Sequence, residues 1–249
     1  DPFFSRFPFW RMWLGRVQSD RDLVAEHLPR CDVVLVTHSH WDHVLDVPDV
    51  VRNTGARVFG SHNACRVLEA AEIPALRYRE VHVGERLALG RFQVTVLPGA
   101  HPNLGGRPIF AGEIPQRPAA TFGARDYRMD ACYSYLIEAE GLRLLDWAHT
   151  GVAGAERADV LCVRAMEPDS FYRALVKAVQ PRVVIPIHWD DLFRPLSQPL
   201  RPMLRPPAWR WPPLRRLDVE EIRRAIEGAA PEVRVWVPEL LASEVLSLT

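Results

Sequence analysis

The stretch VLVTHSHWDHVLDV, residues 34–47, places three histidines and an aspartate within six positions, directly behind a run of β-branched apolar residues. That run begins at Asp32 and is predicted to be a short strand covered on both faces. His38 and His40 are two positions apart, so on an extended segment they point the same way, with Cα atoms about 6–7 Å apart. This spacing suits two imidazoles that bind one metal ion.

Two further titratable residues, Asp42 and His43, follow at the predicted turn into a helix. A lone histidine near an apolar strand is usually a hydrogen-bonded core or surface residue. Here four titratable side chains, three histidines and an aspartate, lie at the carboxyl end of a predicted strand, where ligand sites of α/β folds are found. Burying them unpaired would cost several kcal/mol, and a divalent cation is the simplest compensation. The motif therefore predicts a metal site.

Length and composition narrow the class of protein. With 249 residues, the chain is long enough for one domain with a substantial core, and we expect a single domain over 1–249. The 31 basic residues balance the 31 acidic ones, which disfavours a nucleic-acid partner. No apolar run approaches the roughly 18–20 residues of a spanning helix, so no stable membrane insertion is predicted. The four cysteines show no CxxC spacing, which predicts reduced thiols and a cytoplasmic protein.

Alternating strand and helix patterns flank a middle region of short strands punctuated by glycine. The sequence predicts strands at 32–37, 56–61, 159–165, 182–187 and 233–237, helices at 42–53, 63–73, 168–180 and 218–229, and antiparallel strands within 80–101 and 132–147. Two half-domains, each with a sheet and helices, are implied. The segments 102–131 and 192–217 are too long for ordinary connections and are candidate lids or binding loops.

The heptapeptide THSHWDH, residues 37–43, resembles the signature of the metallo-β-lactamase-fold hydrolases. This resemblance implies an α/β fold of four layers, an αβ/βα sandwich, with a metal site at one sheet edge. It also implies that His38 and His40 bind one ion together with His101, which ends the predicted strand in LPGAHPN, residues 97–103. Asp42 and His43 would bind a second ion with His188, at the end of the strand in VVIPIHWDD.

The bridging position departs from the family pattern. The family places an aspartate in a GDTG-like turn, whereas residues 144–151 read LLDWAHTG, so that alignment of the TG sets His149 at this position. Asp146, three residues earlier, is the alternative occupant, and we prefer His149. A neutral imidazole cannot bridge two ions as a carboxylate does. The second ion would then be weaker, held without a protein bridge, or absent.

Longer segments sharpen the resemblance toward one branch. DPFFSR at 1–6, SHNACRVLEAAEIP at 61–74 and PRVVIPIHWDDLFRPL at 181–196 resemble the ascorbate-phosphate lactonase-like proteins and, more distantly, the N-acyl phosphatidylethanolamine phospholipase D enzymes. In such proteins the Asp-Pro follows N-terminal strands of the sheet. We therefore expect that such strands precede Asp1 in the complete fold and are missing from this chain.

These observations predict a metal-dependent hydrolase that uses a metal-bound hydroxide on a small ester, lactone or phosphodiester. Zinc, as one or two ions, is the expected cofactor, with manganese or iron as alternatives. If the second ion is absent, Asp42 would orient the water or act as base. Trp189, Asp190 and Arg107 are the candidate substrate-binding residues.

Other functions stay open at this point. A phospholipase D-like lipid hydrolase or a nuclease of the same fold is one alternative, and a non-catalytic metal-binding protein with an altered second site is another. The aromatic stretches FFSRFPFWRMW (3–13) and PPAWRWPP (206–213) would then form an apolar wall for an acyl group or contact a membrane interface. The expected partner is a small-molecule substrate, and a homo-oligomer is left open.

Overall fold

The computed structural model describes residues 1–104, 107–204, 215–240, 242–243 and 245, and of Leu104 and Arg107 it describes the backbone alone. The predicted aromatic stretch 206–213 lies outside the described residues. The chain divides into two compact units. The first comprises Asp1–Glu85, Gly99–Tyr133 and Leu192–Gln198, and the second comprises Arg86–Pro98, Ser134–Asp191 and Pro199–Thr249. The assignment of the whole chain to a single domain stays a prediction.

Helices and strands alternate at both ends of the chain. In chain order they are α1 (Arg21–His27), β1 (Val33–Leu35), α2 (Trp41–Val44), α3 (Val47–Thr54), β2 (Arg57–Gly60), α4 (His62–Ala70), β3 (Tyr78–Glu80), β4 (Arg86–Leu89), β5 (Phe92–Pro98), β6 (Asn103–Leu104), β7 (Arg107–Pro108), β8 (Tyr133–Ala139), β9 (Leu142–Trp147), β10 (Val160–Arg164), α5 (Asp169–Val179), β11 (Val183–Ile187), α6 (Val219–Glu227) and β12 (Arg234–Val235).

The first unit contains a parallel sheet in the order β1-β2-β3. Its core includes Val34 of β1 and Val58 of β2, which face each other in register. The helix predicted over 42–53 is instead two helices, α2 and α3, because Pro48 at the start of α3 favours a new helix start. Gly55 ends α3 as expected, with φ of +74°.

The second unit contains a sheet in the order β12-β11-β10-β9-β8-β5-β4. The predicted hairpin forms between β8 and β9 and turns at Gly141, which has φ of +84°. From β9 to β12 the strands are parallel, as the alternating pattern indicates. Helices α5 and α6 pack their apolar faces on this sheet through residues such as Leu175 and Ile226.

The predicted long loop at 102–131 is joined to other segments of the first unit by part-buried hydrogen bonds. Asn63 Nδ2 donates to the carbonyl oxygens of Gly112 and Arg128, at 2.7 and 2.8 Å. Ser39 Oγ also donates to the Arg128 carbonyl, at 2.6 Å. These hydrogen bonds therefore fix the loop at Gly112 and Arg128 beside the segment that carries the histidine motif.

Two further expectations concern cysteines and membranes. Cys31, Cys65, Cys132 and Cys162 are all free thiols. Within the described part of the chain, no helix combines the length and the apolar character that crossing a bilayer requires.

Candidate metal centre

The histidine motif leaves the carboxyl end of β1 as an extended segment and enters α2 at Trp41. His40 has φ of −69° and ψ of 155°, so His38 and His40 project in the same direction, as their spacing predicts. Trp41 is buried and packs against the rings of Phe7, at 4.6 Å between centroids, and Phe193, at 5.7 Å. This packing fixes the backbone on which the histidines are placed.

His38, His40 and His101 form a compact cluster in the first unit. Each offers one ring nitrogen, and these atoms all lie within 4.8 Å of one another. His38 and His40 are 5% exposed, and His101 is partly buried. The structure thus brings together the three residues that were predicted to hold the first ion, and their assignment as ligands stays a proposal.

Hydrogen bonds select which nitrogen of each ring faces the others. His40 Nε2 lies 2.8 Å from the carbonyl oxygen of Ile109, and His101 Nδ1 lies 2.9 Å from that of Pro102. A carbonyl only accepts, so these nitrogens carry the protons and the opposite nitrogens are the candidate ligand atoms. Anchoring of the outer nitrogen by a carbonyl or hydroxyl is typical of metal-binding histidines.

For His38 the outer partner is the Thr37 hydroxyl, 3.1 Å from Nδ1. Thr37 Oγ1 must donate its single proton to Asp1 Oδ2, at 2.6 Å, because a carboxylate oxygen only accepts. The hydroxyl therefore accepts from His38 Nδ1, which leaves His38 Nε2 with its lone pair. This Nε2 atom is buried and has no hydrogen-bond partner among the residues that the structure describes, as expected of a ligand atom turned toward an ion.

Burial also favours the neutral form that binds a metal. Burial, followed by the charges of His43 and His40, lowers the pKa of His38 well below its ordinary value of 6.5. Burial likewise lowers the pKa of His40, while the Asp42 carboxylate opposes the shift. Both rings are consequently neutral near pH 7, and the residues present fit a divalent cation.

Asp42 and His43 lie beside this cluster in the first turn of α2. Asp42 Oδ2 is 3.5 Å from His43 Nε2, and both side chains are mostly buried. The opposite nitrogen, His43 Nδ1, lies 2.9 Å from Asp1 Oδ2 and donates to it. The two predicted ligands of the second ion in the first unit therefore present adjacent donor atoms.

Asp1 is a site residue that sequence reasoning missed. Its Oδ1 accepts the Thr37 backbone N–H at 2.7 Å, while Oδ2 serves both Thr37 Oγ1 and His43 Nδ1. One carboxylate thus orients His43 directly and His38 through Thr37. The local sequence does not predict that Asp1 orients these histidines, because Asp1 and Thr37 are 36 positions apart along the chain.

The remaining predicted site residues lie in the second unit, apart from Arg107. His188 follows β11 directly and has φ of +56°, in the left-handed region. Asp146 lies in β9, where it pairs in register with Tyr135 and Cys162. The assignments of His188 and Asp146 to the second ion stay predictions.

His149 follows β9 and is engaged in a local turn. Its Nδ1 accepts the backbone N–H of Gly151 at 2.7 Å, and its ring stacks on Trp147 with centroids 5.4 Å apart. Because Nδ1 uses its lone pair in this bond, the proton of the neutral ring lies on Nε2. The assignment of His149 to the bridging position stays a prediction.

The predicted substrate-binding residues are placed as follows. Trp189 is partly buried and packs against the core of the second unit, and Asp190 forms an isolated bridge with Pro202. Arg107 lies in β7, but its side chain is outside the described part of the structure. None of these contacts tests a role in substrate binding.

Two buried imidazoles and one partly buried imidazole with anchored outer nitrogens, gathered beyond the ends of strands in a sheet-and-helix protein, define a metal-binding α/β protein of the catalytic type. Comparison with known proteins identifies the family. A family model described as the beta-lactamase superfamily domain matches residues 1–151. Since this is more than half of the chain, the chain belongs to that family.

Individual relatives are described as metal-dependent hydrolases, and solved structures share the fold. A UPF0173 metal-dependent hydrolase of Anaeromyxobacter sp. (strain K) is 27% identical over a 245-residue alignment that covers 91% of this chain and 76% of the relative. One from Carboxydothermus hydrogenoformans is 25% identical over 171 residues, 64% of this chain and 67% of the relative. Igni18, a metallo hydrolase of Ignicoccus hospitalis, superposes with a TM-score of 0.56 at 16% identity over 90% of this chain and 82% of that one. The metallo-beta-lactamase fold protein YhfI of Bacillus subtilis gives 0.52 at 12% identity over 84% and 74%.

These findings confirm the predicted superfamily and fold class. They also confirm the enzyme class at the level of a metal-dependent hydrolase, which is the description that the relatives carry. The finer placement beside the ascorbate-phosphate lactonase-like branch, and the identity of the metal, stay predictions.

Proposed function

We propose that this chain hydrolyses a small ester, lactone or phosphodiester at a metal centre held by His38, His40 and His101. The observation that carries the proposal is the buried cluster of three ring nitrogens whose outer nitrogens are anchored. Three protein ligands are typical of catalytic zinc, whereas structural zinc takes four. When bound, such an ion supplies a water with a pKa of about 7 and polarises the substrate oxygen.

Other residues of the chain would handle the proton and position the ligands. Asp42 presents a mostly buried carboxylate beside the cluster, where it can accept a proton or orient the attacking water. Thr37 and Asp1 hold the rings of His38 and His43 in place, so that the centre needs little reorganisation.

Zinc is the proposed metal, because neutral imidazoles with one nearby carboxylate suit it, and manganese or iron is the alternative. For a second ion we propose Asp42 and His43 with His188. The hydrogen bond from Gly151 to His149 Nδ1 supports a version of this site without His149. Asp146 is then the candidate at the bridging position.

For substrate contacts we propose Trp189 and Asp190, which follow the predicted ligand His188 in sequence, and Arg107 of the 102–131 loop, whose residue type suits a phosphate or carboxylate group. The free thiols support a reducing, cytoplasmic setting. The substrate is proposed to be a small molecule, and a lactone is one member of the class to be assayed.

Metal analysis combined with hydrolysis assays tests the proposal. The purified chain, loaded with zinc or manganese, is assayed on p-nitrophenyl esters, lactones, bis-p-nitrophenyl phosphate, a phosphatidylethanolamine and plasmid DNA. We expect bound metal and turnover of at least one small substrate, and we expect His101→Ala to abolish both. His82→Ala, at a surface histidine of the same unit, is the matched control and should change neither.

Each other outcome has a defined meaning. A full metal complement with no turnover on any substrate would contradict the hydrolase proposal and favour a non-catalytic metal-binding protein. Metal content unchanged in His101→Ala would contradict the assignment of the centre itself. Turnover confined to the lipid or to DNA would replace the small-molecule proposal with the corresponding alternative.

A further inference from the structure

Four large apolar side chains are exposed in the segment that joins Pro8 to Gly15. Phe9 is 60% exposed, Trp10 55%, Trp13 56% and Leu14 68%, and we call these four the aromatic patch. Met12, between them, packs against the core of the first unit instead. Four exposed apolar side chains within six residues are more than the scattered single ones of ordinary surface, so the segment is a candidate interaction site.

The fold holds the aromatic patch outward. A 3-10 helix spans Phe9–Met12, and the Val17 N–H donates to the Phe122 carbonyl at 2.9 Å. Gly123 packs so closely on this segment that a Cβ there would lie 2.8 Å from the Gly15 carbonyl oxygen. The exposed rings are consequently displayed by an anchored backbone.

The charged residues of the segment that carries the patch have one sign. Residues 2–19 contain Arg6, Arg11 and Arg16 and no acidic residue. The Arg11 guanidinium carbon lies 5.4 Å from the centroid of the Trp10 ring. Arg125, from the loop that carries Gly123, lies 5.5 Å from that of Trp13. The surface therefore combines aromatic rings with cations placed over them.

A chain of ring contacts connects the patch with the metal centre. Trp13 contacts Phe110, with centroids 6.4 Å apart, and Phe110 contacts His40 at 6.2 Å. The neighbouring Ile109 is 37% exposed, and its carbonyl accepts from His40 Nε2. Whatever binds the patch is thus brought beside the predicted centre within the same unit.

We propose that the aromatic patch docks onto the surface of an anionic lipid bilayer. Tryptophan, phenylalanine and leucine enter the interfacial region of a bilayer, and nearby arginines pair with anionic headgroups. A second copy of the chain would set like-charged arginines against each other across a twofold interface. Single-stranded nucleic acid would stack on the rings, but Leu14 and Ile109 offer it nothing to stack on.

Vesicle binding tests the proposal without any activity measurement. The whole chain, with and without added zinc, is sedimented with vesicles of phosphatidylcholine alone and with about 30% phosphatidylglycerol, at about 0.15 M salt. We expect binding to the anionic vesicles, a shift of tryptophan emission to shorter wavelength, and weaker binding as salt rises.

Variants separate the apolar and the charged contributions. Trp10→Ala with Trp13→Ala should lower the partition coefficient at least about tenfold. Arg11→Glu should lower it about fivefold or more on anionic vesicles. Phe92→Ala and Arg91→Glu are matched controls, because Arg91 covers the 40% exposed ring of Phe92 in the second unit with the same geometry. The controls should bind like the parent chain.

Several results would overturn the proposal. They are the absence of vesicle binding, equal binding to neutral and anionic vesicles, and binding that the double tryptophan variant retains. Self-association that the same variant abolishes would assign the patch to a second copy. Binding of a single-stranded oligonucleotide in place of vesicles would assign it to nucleic acid. Because metal loading and turnover are not measured, failure here leaves the proposed hydrolase function intact.

Discussion

Replacement of Asp1 by asparagine is the sharpest test of how the centre is held. The Asp1 carboxylate accepts three hydrogen bonds: from the Thr37 N–H at 2.7 Å, from Thr37 Oγ1 at 2.6 Å and from His43 Nδ1 at 2.9 Å. An asparagine has one oxygen, and its NH₂ group would meet a donor in either orientation. With the oxygen toward Thr37 Oγ1 and His43, the Thr37 N–H loses its acceptor.

The magnitude follows from these three bonds. One bond is lost and the two that stay change from charge-assisted to neutral, which costs about 2–3 kcal/mol in the free energy of unfolding. Because the carboxylate fixes the tautomers of His43 and, through Thr37, of His38, we expect metal affinity to fall about 10- to 100-fold.

The assay is zinc binding by competition with a chelator, combined with urea unfolding of the metal-free and loaded chain. Asp32→Asn is the control, since Asp32 is an exposed aspartate of the same unit. Thr37→Val removes the hydroxyl that holds His38 but leaves the Asp1 to His43 contact, so it should weaken the first ion selectively. Zinc affinity within about twofold of the parent in Asp1→Asn would refute the reasoning, because no anchoring role would then remain for the carboxylate.

Two further outcomes follow from the same geometry. His149→Ala should keep the metal content of the parent chain, measured by elemental analysis, because His149 Nδ1 is occupied by the Gly151 N–H; loss of an ion would return His149 to the ligand set. Burial raises the pKa of the thiols of Cys65 and Cys162 from 9.0 to about 12, so about one thiol in ten thousand is ionised at pH 8 and both should resist alkylation in the native chain, as peptide mapping would show. The raised pKa means that folding favours the neutral thiol. The stability that the two neutral thiols contribute is therefore complete below about pH 9 and is lost as the pH rises toward about 12. Urea unfolding across this pH range would detect the loss.

The part of the centre that could be predicted is the part that is local in sequence. His38 and His40 share a direction because they are two residues apart on an extended segment, and this geometry requires no knowledge of the rest of the chain. The pairing of β8 with β9 is predictable for the same reason, since Gly141 marks the turn. His101 was found from its position at the end of a strand together with the family resemblance, which supplied the long-range information.

What could not be predicted depends on contacts between distant segments. Asp1 contacts Thr37 and His43 only after the chain has folded. An aspartate before a proline belongs to no sequence pattern that predicts these contacts. The break between α2 and α3 was missed because the apolar spacing continues through it, although Pro48 marks the second start. The preference for His149 at the bridging position came from aligning two residues of a turn and stays a prediction; in the structure its Nδ1 accepts the Gly151 N–H.

The hydrogen bonds around His38, His40 and His101 also explain how the folded chain keeps these three rings together. Three imidazoles each place one ring nitrogen within 4.8 Å of the others, and the buried His38 Nε2 has no hydrogen-bond partner among the described residues. Such an arrangement costs free energy in the absence of an ion, since buried polar atoms are normally paired. Anchoring by Thr37, Ile109 and Pro102 offsets part of that cost and prevents the rings from turning outward. The network therefore acts on the metal-free state, and an ion bound at the proposed centre would gain affinity because the rings are already oriented before it binds.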